Sequence, residues 1–411
     1  MKKILCFDSW TRGSHHFNRL RNDFNKNGFI IILIHFGSWG HDINRPKEED
    51  ISGLIVRDIS FYGDLGLKQV LKMENPDVVL FLSVRSFLHQ SLIRYCRFLN
   101  IKTVHLYHGI TQDEINDTSI KKNKTISLSI IRSKIVKNFF RTIPVYIKSI
   151  YETNSNISDY LIILFEIINK INSNYFRKAP SDCITDLGFV YLPYEIKHMN
   201  YYYGVPIDKI YSFGNPDLVD FNFQQDLLGI GFLENRSNNK EIIYFDAGYL
   251  RAGLYYTDNF DFLNNLLKIE KYLSVNGFKL LVKLHPSSSD AIINLLLENN
   301  IKLVSRDELT SALTYCKGVI SEPSTLSLLP AIMGLPLYLV NFDKLKSVSY
   351  SNVITSYSRS KILTNIEEVS KINCDFNKEK ELFDNWISTY IVNTNPNVIT
   401  EAVVSKIINE L

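Results

Sequence analysis

Three short motifs in the second half of the chain place a carboxylate, an imidazole and a group of hydroxyls directly after strand-like runs. They are Asp246 in IIYFDAGY, His285-Pro286 in LLVKLHPSS, and Ser321-Glu322-Pro323-Ser324-Thr325 in GVISEPSTLSLLPAIMGLPLYLV. A carboxylate at a strand end can take a proton from a hydroxyl or attack an electrophilic carbon. The same position suits an aspartate that bonds its own turn. An imidazole can donate a hydrogen bond to a departing phosphate and stabilise the charge that develops there. Hydroxyls and free amides at a helix start can cap the helix and also cradle an anion, and the two roles are compatible. Glu322 could accept from a ribose hydroxyl. Lys283 and Arg251 add cations near the same motifs, and Pro286 fixes the chain's exit after His285.

The first half offers a second group. Asp8, Arg12, His15 and His16 lie in FDSWTRGSHHF, just after the first strand-like run, and His108 follows another such run. Polar loops of this kind suit an acceptor rich in hydroxyls, although loops are commonly polar for other reasons. The histidines raise the question of a metal. No HxxxH or HExxH pair falls on a helical segment and no DxD occurs, so no metal is expected. Neither a Walker loop nor a GxGxxG is present.

These motifs need a scaffold that brings strand ends together. Apolar runs at 2–8, 29–36, 54–59, 78–82 and 102–107 alternate with helical stretches at 65–74 and 86–99. A second series of strands is expected at 187–192, 241–246, 278–284, 301–304, 317–321 and 336–340. Helices are expected at 194–203, 258–275, 288–299, 307–315 and 324–333. Alternation of this kind predicts parallel sheets with crossover helices, whose ligands bind beyond the strands' carboxyl ends. The fold class is α/β, with two Rossmann-like domains. The expected boundaries are 1–215 (with a basic, helical insertion at about 113–182), 216–390, and a final helix at 391–411 packing back on the first domain.

Composition sets the outer limits. At roughly 100–200 residues per domain, 411 residues suggest two or three domains. Hydrophobic residues make up 45% and charged residues 22%, as in ordinary globular proteins. The five cysteines contain no CxxC pair and read as buried thiols of a reducing compartment. The opening MKKILCFDSW lacks a signal peptide's apolar core, and no apolar run reaches 18 residues, so a cytoplasmic location is expected. The segment 121–148 carries eight basic residues and no acidic ones, against a net charge of +3 for the whole chain. Mixed with Ile, Phe and Leu, it suits peripheral contact with an anionic membrane surface, although a solvated helical face would look similar. No nucleic-acid recognition module appears.

The order of these motifs resembles the GT-B glycosyltransferases that use CMP-activated ulosonic acids. They are a strand-end acid, then Lys283-Leu284-His285-Pro286, then a Ser/Thr loop leading into Ala331-Ile332-Met333-Gly334-Leu335-Pro336. Members include the bacterial retaining β-Kdo transferases and, more distantly, bacterial sialyltransferases. The resemblance implies two domains facing a central cleft and a CMP-sugar donor used without a metal or other cofactor. It also implies a lipid-linked glycan acceptor, as in lipopolysaccharide or capsule assembly at the inner face of the inner membrane. Asp246 and His285 would be catalytic. Lys283, Pro286, Ser321, Glu322, Ser324, Thr325 and Arg251 would hold the donor, and Asp8, Arg12, His15, His16 and His108 the acceptor. The sialyltransferase pattern has two acidic residues before glycine. Here Ala247 stands in second place, which tilts the reading toward Kdo. A sialyltransferase, a UDP-sugar transferase or epimerase, and a non-enzymatic glycan- or lipid-binding scaffold remain as alternatives.

Overall fold

The computed structural model describes residues 2–8, 13–39, 46–110, 141–156, 158–164, 181–232, 239–251, 253–286, 288–346, 348–373 and 380–411. These residues form two compact units. One holds residues up to 216 together with 397–411, and the other holds 217–396. Arg12 and most of the basic insertion lie outside the described residues.

The first unit contains strands β1 (Lys2–Asp8), β2 (Phe29–His35), β3 (Glu48–Ile51), β4 (Leu54–Asp58), β5 (Val78–Phe81), β6 (Lys102–Leu106), β7 (Leu187–Val190) and β8 (Ile210–Ser212). Their order is β3-β4-β2-β1-β5-β6-β7-β8, parallel except for the β3–β4 pair. Both faces are covered, which is why β1 and β2 read as unbroken apolar runs. Ile4 and Cys6 enter one core with Phe17, Leu20, Phe24, Val404 and Ile407. Leu5 and Phe7 enter another with Leu71 and Leu92 on the opposite face. The helix Pro396–Asn409 thus closes one face of this sheet through Val403, Val404 and Ile407.

The second unit contains β9 (Glu241–Phe245), β10 (Lys279–Lys283), β11 (Lys302–Leu303), β12 (Gly318–Ser321), β13 (Leu337–Val340) and β14 (Ser360–Leu363). The order is β11-β10-β9-β12-β13-β14, all parallel. The helices Asn259–Ser274 and Asp290–Glu298 bury Phe262, Leu266, Ile292 and Leu296 against it. Free thiols Cys6, Cys96, Cys183 and Cys316 are buried, and burial raises the first three well above the usual thiol range.

Three elements go beyond the sequence expectation. The helix Ser14–Lys26 follows β1 directly, where a loop was expected. Its polar start has no side-chain cap, and its apolar stripe consists of Phe17, Leu20 and Phe24. Strands β3 and β14 are short, half-exposed sheet edges and carry little apolar signal. One expected element is shorter than foreseen. Instead of a helix over 324–333 there is a 3₁₀ turn, Thr325–Ser327, running into the five-residue helix Leu328–Ile332.

The described end of the basic segment is tied to the first unit by a buried arginine. Arg94, on the helix Phe87–Phe98, donates to Asp159 (2.6 Å), Asp182 (2.7 Å) and the Ser149 hydroxyl (3.1 Å). Tyr146 and Ile150 pack on Phe87 beside it. Removing one partner of a buried ion pair strands the others. Arg94→Ala is therefore expected to lower the stability of this unit by about 3–5 kcal/mol, read by urea unfolding. A loss under about 1 kcal/mol would mean that the cluster is solvated rather than structural.

Candidate active site

In the second unit the chain order of the strands reverses beside β9. Strands β10 and β11 extend the sheet to one side, and β12 to β14 to the other. A crevice opens beyond the strand ends at such a point. Asp246 follows β9 and Glu322 follows β12, the two neighbouring strands at that point. Backbone bonds carry the sheet one residue further. Asp246 N–H donates to Lys283 O (3.1 Å) and Glu322 N–H to Phe245 O (3.1 Å).

Asp246 is held from three directions. Its Oδ1 accepts from Gly248 N–H at 2.7 Å. Its Oδ2 accepts from His285 N–H at 3.1 Å and lies 3.4 Å from the Ser288 hydroxyl. Gly248 sits at φ +81° with its Cα against the imidazole, and a Cβ there would stand 2.9 Å from His285 Cγ. Only glycine allows this turn and this approach together. The loops after β9 and β10 therefore place Asp246, His285 and Ser288 side by side.

The His285 imidazole is half-buried. Desolvation lowers its pKa, the Arg251 and Lys283 charges lower it further, and Asp246 opposes the shift. The ring is thus neutral at neutral pH and offers an N–H donor. Lys283 is buried, donates to Leu284 O at 3.0 Å, and has its own pKa lowered first by desolvation and then by Arg306. Arg251 is exposed on the loop that follows β9.

Two sequence assignments need correction. Ser321 is fully buried, and its hydroxyl is bonded to Glu322 O and to the Ser327 hydroxyl, each at 2.7 Å. Glu322 is also fully buried. Its Oε1 accepts from Tyr244 (2.6 Å) and Tyr256 (2.8 Å), and its Oε2 from Ala247 N–H (2.8 Å). These geometries give both residues an internal role in place of a ribose or phosphate contact. Ser324 and Thr325 are half-buried, and the Ser324 hydroxyl caps Leu326 N–H at 3.2 Å. With so short a helix after them, any anion contact rests on these hydroxyls and loop amides rather than on a helix dipole. Tyr244, Tyr256 and Ser288 were not singled out in the sequence. Tyr244 reads there as part of an apolar strand. Its position two residues before Asp246, hence on the same face of β9, was the available signal.

The first unit repeats the arrangement. β2 and β5 flank β1 on opposite sides, so Asp8 ends the strand at the reversal point, as Asp246 does in the second unit. Asp8 is buried against Gly13, where a Cβ would lie 2.0 Å from its Oδ2. His15 and His16 occupy the first turn of the helix Ser14–Lys26, with ring centroids 3.9 Å apart. His16 lies 5.8 Å from His108, whose Nδ1–H donates to Leu82 O at 3.1 Å. Arg19 donates to His16 Nδ1, which puts that ring's proton on Nε2. Four of the five expected acceptor-side residues thus meet at one edge. The fifth, Arg12, lies outside the described residues. No group of three or more metal-ligating side chains occurs among the described residues.

No protein-family model matches the chain, and a search of curated proteins found no match. Solved structures do resemble it. The H444N variant of the wall teichoic acid polymerase TagF is 14% identical with a TM-score of 0.55, covering 100% of this chain and 89% of that one. The Methanocaldococcus jannaschii UDP-GlcNAc 2-epimerase in complex with UDP-GlcNAc and UDP is 11% identical with a TM-score of 0.53, covering all of both chains. S. aureus MnaA with UDP is 11% identical at a TM-score of 0.51, covering 100% and 98%. The chain has the two-unit α/β fold of the GT-B kind. That fold is common to a wall teichoic acid polymerase and to a UDP-GlcNAc 2-epimerase, so it does not by itself choose an activity.

Burial and the nearby Asp246 charge raise the Glu322 carboxyl from its ordinary 4.5 to about 7, against the bonds from Tyr244, Ala247 and Tyr256. The folded protein then binds the proton more tightly than the unfolded chain, so this group's contribution to stability is full below about pH 4.5 and is lost as pH rises through about 7. Glu322→Gln should flatten that loss. Its stability relative to the parent should rise by up to about 3 kcal/mol between pH 5 and pH 8, read by denaturation at both pH values. A parallel pH response in the two proteins would contradict the assignment.

Proposed function

We propose that the chain is a metal-independent glycosyltransferase that moves Kdo, or a related ulosonic acid, from its CMP donor to a bacterial surface glycan. The observation that carries the reading is the Asp246–His285 pair, held together by Gly248 and Ser288 at the point where the second sheet reverses its strand order. The motif order, strand-end acid then K-x-HP then Ser/Thr loop, supports the same reading, as does the GT-B kind of fold.

In this reading the neutral His285 donates to the phosphate of the departing CMP, and Ser324 and Thr325 offer hydroxyls to the same group. Lys283 and Arg251 supply positive potential for a sugar that carries its own carboxylate. Asp246 acts in one of two ways. As nucleophile it bonds to the anomeric carbon while the carbon–oxygen bond to CMP breaks and CMP leaves with the electron pair. The acceptor hydroxyl then displaces the aspartate, and the freed Asp246 carboxylate takes its proton. As general base, Asp246 takes the acceptor's proton during direct displacement. The edge formed by Asp8, His15, His16 and His108 would receive the acceptor. The cationic segment 121–148 would hold the protein to the anionic inner face of the membrane, where a lipid-linked acceptor resides. No helix among the described residues is long and apolar enough to cross a membrane.

A UDP-sugar enzyme is the second reading. It draws on the fold shared with the epimerase bound to UDP-GlcNAc and UDP, and it loses the support of Glu322, whose carboxyl is engaged internally.

Thermal denaturation with CMP, CDP and UDP separates the two. CMP at about a hundred times its Kd should stabilise the protein by about 2.7 kcal/mol, with UDP giving much less. Asp246→Asn should cut CMP release from CMP-Kdo by about 10²–10⁴-fold. Stabilisation by UDP alone, or full turnover by both Asp246→Asn and His285→Ala, would sink the reading. Deletion of residues 121–140 is expected to release the protein from phosphatidylserine-containing vesicles, and retention on them would refute the membrane contact.

A further inference from the structure

Glu322 is engaged with donors on three sides and has no solvent contact. It is the one carboxyl in the second unit buried to 0% exposure among the described residues. A carboxylate in that position is costly unless every lone pair is used. Its donors are unusual in where they lead. Tyr244 belongs to β9, Tyr256 to the loop before the helix Asn259–Ser274, and Ala247 N–H is the amide next to Asp246. The turn Asp246–Ala247–Gly248 supplies Gly248 N–H to Asp246 Oδ1 and sets Gly248 against the His285 ring. A clamp on the Ala247 amide is therefore a clamp on that turn.

We propose that Glu322, braced by Tyr244 and Tyr256, is the positioning residue for Asp246, fixing through the Ala247 amide the turn that aims the Asp246 carboxylate and seats His285. The inference rests on the reading of Asp246 as the acting group. It goes further in assigning an acting role to a residue that need not touch a ligand. Glu322 works through geometry: a shift of about an ångström in a reacting group can lower turnover on the order of a hundredfold. The titratable groups whose charges bear on Glu322 are Asp246 and Tyr249 on the same loop, Tyr244, Tyr256, and Tyr350, whose hydroxyl bonds to Ser321 O. When Glu322 takes up a proton, one of its bonds must reverse, because Tyr244, Tyr256 and the Ala247 amide all donate to it. A tyrosine hydroxyl can turn and accept, and the Ala247 amide cannot.

The test uses the full-length protein and its Glu322→Ala, Glu322→Gln, Tyr256→Phe and Asp246→Asn variants. CMP release from CMP-Kdo is followed across pH 5–9, and CMP affinity by calorimetry. Glu322→Ala should lower kcat on the order of a hundredfold while KM and CMP affinity move by no more than about threefold. Glu322→Gln keeps an oxygen for the Ala247 amide. It should restore most of kcat. If Glu322→Ala fails to fold, Tyr256→Phe, which takes away one donor, should still lower kcat several-fold with KM unchanged. Unchanged kcat in Glu322→Ala, or in Tyr256→Phe where the former cannot be made, overturns the positioning role while leaving the site reading intact, provided Asp246→Asn is inactive. Full turnover by Asp246→Asn overturns both. Should the parent release no CMP at all, hydrogen exchange decides. Faster exchange of the Gly248 and His285 amides in Glu322→Ala but not in Glu322→Gln supports the clamp, and equal protection in both refutes it.

Discussion

Parallel strands all end on one edge of their sheet, and that constraint organises this chain. Both sheets start from a central strand and grow first to one side and then to the other, so each has a point beyond its first strand where two neighbouring loops part. The chain places an aspartate at each point, Asp8 after β1 and Asp246 after β9. The crossover helices that cover both faces force the strands to be apolar throughout. Polar chemistry is thereby pushed to the strand ends, where the loops after β9, β10 and β12 meet. The site is a consequence of the sheet's direction before it is a consequence of any one side chain.

Within that edge, hydrogen bonds do the fine placement. Asp246 draws on two backbone amides and one hydroxyl, and Glu322 bonds the amide of the Asp246–Ala247 peptide. Gly248 makes the arrangement compact by letting the backbone lie against the imidazole. Asp246 and His285 are thereby fixed relative to each other by main-chain geometry, which is stiffer than a contact between two free side chains. Desolvation lowers the His285 pKa and so favours the neutral ring.

Much of the scaffold could be read in the sequence, because buried parallel strands are long apolar runs and their helices are punctuated by Gly and Asn. The strand ends fell within a residue or two of those expected, which is why Asp246 and His285 were legible. What escaped has physical causes. The helix after β1 starts with histidines and lacks a capping side chain, so it read as loop. The Ser321–Thr325 run looked like the opening of a long helix, yet Pro330 sits inside a helix of only five residues. Glu322 looked like a ligand residue because its type and place suit a ribose. Its burial depends on Tyr244 and Tyr256, and their convergence on it is a tertiary fact that spacing along the chain does not encode.

The central claim is that a cytidine monophosphate leaves from the second unit beside His285 and Asp246. The most direct measurement is a crystal structure of the protein with CMP bound. The account predicts the phosphate within hydrogen-bonding distance of the His285 ring and of the Ser324 or Thr325 hydroxyl, with Asp246 facing the position of the lost sugar. A phosphate bound instead among Asp8, His16 and His108 on the first unit, with the Asp246–His285 edge empty, would contradict it.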